Sequence, residues 1–141
     1  MSGEDEEVFL DDVLVKHAGW LQRHTALSIR TDLQPTYVVG DPVALHQALT
    51  ALVDHARSNA VSAIDLAVYR HDAQAVVIVG DDGPRTAAGS AEGCPGDLGL
   101  AAQIVAGAGG TLTVAERIPC GSTVRVRLPS TRQRSPGPAV T

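Results

Sequence analysis

Between Asp41 and Leu128 the hydrophobic pattern changes its period several times. Leu45, Ala48, Leu49, Leu52, Val53 and Ala56 recur three and four apart, which is the spacing of one helical face. Ile64, Leu66 and Val68 then alternate, and Val76 to Val79 form a buried-type run, both suited to strands. Only 3% of the residues are aromatic while 44% are hydrophobic, so the core has to be built from Ala, Val, Leu and Ile. That composition suits a sheet covered by helices, and 141 residues suffice for one such domain.

The spacing predicts a first helix over about residues 10 to 23, with Leu10, Val13, Leu14, His17, Ala18 and Leu21 on one face. Two short strands are expected next, at about 26 to 31 and 36 to 39, turning at Gln34 and Pro35 so that the sheet begins antiparallel. Asp41 and Pro42 start the second helix, since the carboxylate caps free amides and the proline ring suits the first turn; the helix runs to about Ser58. Strands follow at about 63 to 70 and 75 to 79, then a third helix at about 98 to 108 stopped by Gly109 and Gly110, and closing strands at 111 to 116 and 123 to 128. The predicted class is α+β, a two-layer α/β sandwich with three helices on one face of a mixed, largely antiparallel five- or six-stranded sheet. Residues 1 to 8 are acidic and polar and 130 to 141 are rich in Ser, Pro and Arg, so both are read as flexible ends of a domain at 9 to 129. The stretch at about 84 to 96 lacks periodicity and is read as a lid.

A net charge of -5 with scattered cations excludes the phosphate-neutralising face of a nucleic-acid binder. No apolar run is long enough to span a bilayer and the acidic start has the wrong sign for a signal peptide, so a cytoplasmic location is expected. Cys94 and Cys120 lack metal-site spacing and are given no chemistry.

Three segments place polar or glycine residues on or beside regular elements, where ligands tend to bind: Asp54-His55-Ala56, Asp81-Asp82-Gly83, and Gly96-Asp97-Leu98-Gly99-Leu100. Their order, with GDPVALHQALTALVDHA, VVIVGDDGP, GDLGLAAQIVAGAGGTLTV and GSTVRVRLP, resembles the N box, the two glycine boxes and the closing strand of the ATP-binding domain of sensor histidine kinases, over about residues 8 to 129. This is the Bergerat fold shared with gyrase, the Hsp90 chaperones and MutL. The resemblance implies ATP and Mg2+ as cofactors, and a phosphoacceptor-histidine dimerisation domain and a response regulator as partners. It also implies roles by position. Asp81 would read adenine together with Thr123, Gly83 would admit the base, and Gly96, Leu98, Gly99 and Leu100 would hold phosphates at a helix start. His55 stands at the magnesium-binding asparagine and is the candidate catalytic residue, either as a poor metal ligand or as a protonated partner of a phosphate. Ala51 stands at an earlier asparagine and Ser58 at a phosphate-contacting lysine, leaving Arg57 as the nearby cation. Pro95 and Asp97 replace leading glycines, and Arg85 replaces another; these departures point toward weakened nucleotide handling.

None of the five histidines lies in a phosphoacceptor motif: His17, His24, His46 and His55 are not followed by an acid, and His71, which precedes Asp72, falls at a predicted strand turn. Transfer would therefore go to a histidine on another domain. Two further readings stay open: a degenerate nucleotide-binding or partner-binding pseudokinase module, and an anti-sigma-factor serine kinase.

Overall fold

In the computed structural model the described residues are 6–83, 89–90, 97–116 and 121–129, so the expectations for 1–5, 84–88, 91–96 and 130–141, and for both cysteines, lie outside them. The chain runs β1 (Glu6–Phe9), α1 (Leu10–His24), β2 (Ser28–Leu33), β3 (Tyr37–Gly40), α2 (Pro42–Asn59), β4 (Ala63–His71), β5 (Gln74–Asp81), β6 (Gly89–Ser90), α3 (Asp97–Gly107), β7 (Thr111–Glu116) and β8 (Ser122–Pro129). The main sheet has the order β2-β4-β5-β8-β7-β6, antiparallel except where β2 pairs parallel to β4. On its inner face Ile64, Leu66, Val68, Val77, Val79, Val124, Val126 and Leu128 are buried with the apolar stripes of the helices, all three of which pack against the sheet. The α+β sandwich is the predicted one.

Its opening differs from the expected hairpin. β2 and β3 do not pair; β3 instead joins β1 in a separate two-stranded sheet, with Phe9 opposite Tyr37 and their rings 5.1 Å apart. The cause lies in the three residues between the strands. Gln34 donates its N–H to the Val68 carbonyl, Pro35 has none to give, and the Thr36 N–H goes to the Asp11 carboxylate at the start of α1. The chain leaves the sheet there and runs back beside β1. Glu6 to Val8, expected to be flexible, thus belong to a strand, and Val8 is buried. Within the stretch read as a lid, Gly89 and Ser90 pair with Val114 and Thr113.

Helix α2 begins as its sequence dictates: the Asp41 carboxylate accepts from Val43 N at 3.0 Å and Ala44 N at 3.5 Å, with Pro42 in the first turn. α3 ends as predicted too, for Gly109 takes φ +86° and Gly110 donates back to the Val105 carbonyl. A Cβ on Gly110 would sit 2.1 Å from the Arg127 carbonyl oxygen, so this close approach to β8 requires glycine.

Asp82 fastens the loop between α2 and β4 to the end of β5. One carboxylate oxygen accepts from the backbone of Val61, Ser62 and Ala63, each at 3.0 Å, and the other takes a short bond from the Ser62 hydroxyl. The Ser62 hydroxyl and then the backbone amides of Ser62 and Ala63 hold this carboxyl well below the usual carboxylate range, against a small opposing effect of burial.

Two outcomes follow from the local geometry. The β4–β5 turn puts Ala73 at φ +63°, which disfavours an L side chain by about 1 kcal/mol, so Ala73→Gly should raise the midpoint of thermal unfolding. An unchanged or lower midpoint would contradict the turn. Because the carboxyl of Asp82 is depressed, its stabilisation is fully present above the unfolded value near about 4 and is lost as pH falls below it. Wild type should exceed Asp82→Asn by a few degrees at neutral pH, with the margin narrowing in acid; a pH-independent margin would refute the clamp.

Candidate nucleotide site

β5 ends with two acids that face opposite ways. Asp81 continues the inner row of Ala75, Val77 and Val79, and only 1% of its surface is exposed. One of its carboxylate oxygens accepts from the Gly83 N–H at 2.9 Å and the other from the Ser122 hydroxyl at 3.1 Å. Ser122 lies directly across the ladder from Asp81, on the helix side with Val124 and Val126. Thr123, the expected partner, opposes Gly80 and points to the other face. The hydroxyl beside Asp81 is therefore that of Ser122. The alternation of β8 carried this information, since Ser122 keeps step with the buried residues Val124, Val126 and Leu128.

Gly83 is needed for packing against α2. A Cβ there would fall 1.7 Å from the Asn59 carbonyl oxygen and 3.2 Å from the Asn59 Cβ. The last turn of α2 thus lies directly against the β5 terminus, and Asn59 forms part of this wall, though the sequence motifs do not single it out. Its amide nitrogen donates to the His55 carbonyl at 2.9 Å and sits 3.3 Å from the His55 Nε2. Ala51, His55 and Asn59, four apart, make one stripe along α2 toward Gly83.

Arg57 belongs elsewhere. Two residues from His55, it is turned about 200° around the helix. It pairs with Asp54 at 3.6 Å and lines a crevice against α1 with His17 and Trp20. The expectation that Arg57 shares a site with His55 and Asp81 is corrected by helical geometry.

Gly96 lies outside the described residues. Leu98 is buried in the core, Gly99 follows it, and Leu100 projects outward, 48% exposed. All three fall in the first turn of α3, where the backbone N–H groups of Leu98 and Gly99 have no partner within the helix. A cleft of about 600 Å³ runs along the outward side of α2 and is lined by Val43, Gln47, Thr50, Ala51, Asp54 and Leu100, among others. Neither Asp81, Gly83 nor His55 lines it; Ala51 connects its wall to the His55 stripe.

His55 does not suit magnesium. The ion takes hard oxygen donors in octahedral geometry. Here α2 presents an imidazole nitrogen at His55, a poor donor for that ion. Among the described residues no group of three or more His, Cys, Asp or Glu converges to hold a metal. His55 as a magnesium ligand is withdrawn on that chemistry.

No protein-family model matches the chain, and no curated protein matches it in sequence. Solved structures do match in shape. The catalytic domain of the histidine kinase ThkA superposes with a TM-score of 0.79 at 16% identity, covering 90% of this chain and 97% of that one. The ATP-binding domain of PrrB from Mycobacterium tuberculosis gives 0.74 at 22% identity, over 90% and 98%. Full-length ShkA in complex with AMPPNP gives 0.76 at 17% identity, over 92% of this chain and 32% of that one. Among the described residues no helix is long and apolar enough to cross a membrane. With its helix layer, its sheet order and the acid at the end of β5, the chain has the fold of the ATP-binding catalytic domain of sensor histidine kinases.

Proposed function

We propose that the chain is the nucleotide-binding catalytic domain of a two-component sensor kinase, holding ATP and presenting its γ-phosphoryl group to a histidine on a separate phosphoacceptor domain, upstream of a response regulator. The observation that carries this is the buried Asp81 carboxylate, oriented by the Gly83 N–H and the Ser122 hydroxyl where α2 meets the sheet. A carboxylate only accepts hydrogen bonds, so it favours the amino group on the adenine edge and repels the carbonyl that guanine carries there. ShkA, which shares the fold, was solved with the ATP analogue AMPPNP.

From the base, the phosphates would extend toward the start of α3, where the first-turn amides of Leu98 and Gly99 and the helix dipole favour negative charge. His55, on the stripe that leads away from Asn59, would donate a ring N–H to a phosphate oxygen and so steady the donor. Phosphoryl transfer asks a protein chiefly for positioning and charge neutralisation; this arrangement would contribute to the first, with no nucleophile of its own. The described helical histidines lack a following acid, and His71 ends β4, in keeping with an acceptor on another domain.

A second reading, a module that binds nucleotide without turning it over, is favoured by the imidazole at His55 and by the engagement of Arg57 with Asp54. Adding a hairpin fragment with a phosphoacceptor histidine separates the two, because only a kinase yields acid-labile phosphohistidine.

Asp81→Asn tests the shared premise. Loss of one charge-assisted hydrogen bond, at about 1.5–3 kcal/mol, should weaken ATP binding by roughly tenfold to a hundredfold in calorimetry. The asparagine still offers an oxygen to Gly83 or Ser122, so far-UV circular dichroism should be unchanged. A variant that binds ATP as well as wild type would remove Asp81 from the base site.

A further inference from the structure

On the flank of α2 away from Asp81, α1 and α2 leave a crevice of about 310 Å³ between them, lined by His17, Trp20, Leu21, Val53, Asp54 and Arg57. Trp20 is the only tryptophan in the chain and stays 45% exposed, its ring stacked on His24 at 4.6 Å. At that exposure the indole keeps an apolar face available beside the crevice. The charged neighbours of Trp20 along α1 are cations. Within about one helical turn on either side the charged residues of α1 are Lys16 and Arg23, and no acid occurs from Lys16 to His24, in a chain whose net charge is -5. Across the crevice Arg57 and Asp54 pair at 3.6 Å and offset each other, so the excess positive charge beside the indole is that of Lys16 and Arg23; Asp12 lies one turn before Lys16. His17, bonded to the Thr50 hydroxyl at 3.3 Å, is pushed below its ordinary range by burial, against the pull of Asp54 and with a small push from His46, so it adds little charge at neutral pH.

The geometry points to a docking site for an acidic amphipathic helix of a partner protein, whose apolar face packs on Trp20 and whose carboxylates meet Lys16 and Arg23. A helix is the fitting shape because the crevice is a groove between two neighbouring helices, into which a third can lay a ridge of side chains. An acidic partner follows from the cations that rim the tryptophan. This surface is separate from the nucleotide site and does not depend on it.

The single tryptophan makes the test direct, because its emission moves to shorter wavelength when the indole leaves water. The probe is a synthetic helical peptide of about 20 residues with Leu on one face and Glu on the rest, titrated into the full chain; controls are the same peptide with Lys for Glu, and vesicles of phosphatidylcholine with phosphatidylglycerol. The acidic peptide should shift the emission to shorter wavelength, and the Lys peptide should not. Lys16→Glu with Arg23→Glu should weaken the titration at least tenfold, and Trp20→Ala, followed by calorimetry, should lose binding; all three positions are exposed, so the fold is kept. No shift with the acidic peptide, or equal binding by the charge-reversed variant, would overturn the proposal. A shift with the anionic vesicles alone would assign the patch to a lipid surface and overturn it equally.

Discussion

The structure depends on how the end of β5 is fastened to the last turn of α2. Asp82 draws Val61, Ser62 and Ala63 in by their backbone amides, and this contact brings the Asn59 carbonyl so close to Gly83 that no side chain fits there. With that seam closed, Asp81 lies almost wholly buried, its carboxylate held by the Gly83 N–H and the Ser122 hydroxyl. Two neighbouring acids thus take opposite roles. One is exposed enough to serve as a clamp, and the other is buried where only specific partners make a carboxylate tolerable.

Much of this was legible in the sequence, because the signals involved are local. The Asp41-Pro42 cap, the stripe from Leu45 to Ala56 and the Gly109-Gly110 stop are properties of a few consecutive residues, and the helices begin and end within about two residues of their predicted limits. Strand pairing is not local. That β2 would lie parallel to β4, and that the acidic start would hydrogen-bond to β3, depends on where Gln34, Pro35 and Thr36 send their backbone groups. Nothing in the alternation of either strand reports that choice.

The site shows the same division. Asp81 and Gly83 were identifiable because they form a motif, and Leu98 to Leu100 because they open a helix. Motif position points to Thr123, but a one-residue step reverses the face of a strand and brings Ser122 to Asp81; it points to Arg57 beside His55, but two residues on a helix point apart. Asn59 was overlooked because it matters only through its contact with Gly83, more than twenty positions away in sequence. Position along a motif identifies residue types; the side of the element they occupy decides which of them meet.

The central claim is that adenine nucleotide is held at the seam between α2, the end of β5 and the start of α3. Backbone amide shifts recorded by nuclear magnetic resonance while ATP is added test it most directly. The account predicts that the largest changes fall at Asp81 to Gly83, Gly121 to Thr123, His55, Asn59 and Leu98 to Leu100, with little change around Trp20. Saturating shifts confined to other surfaces, or none at millimolar ATP, would contradict it.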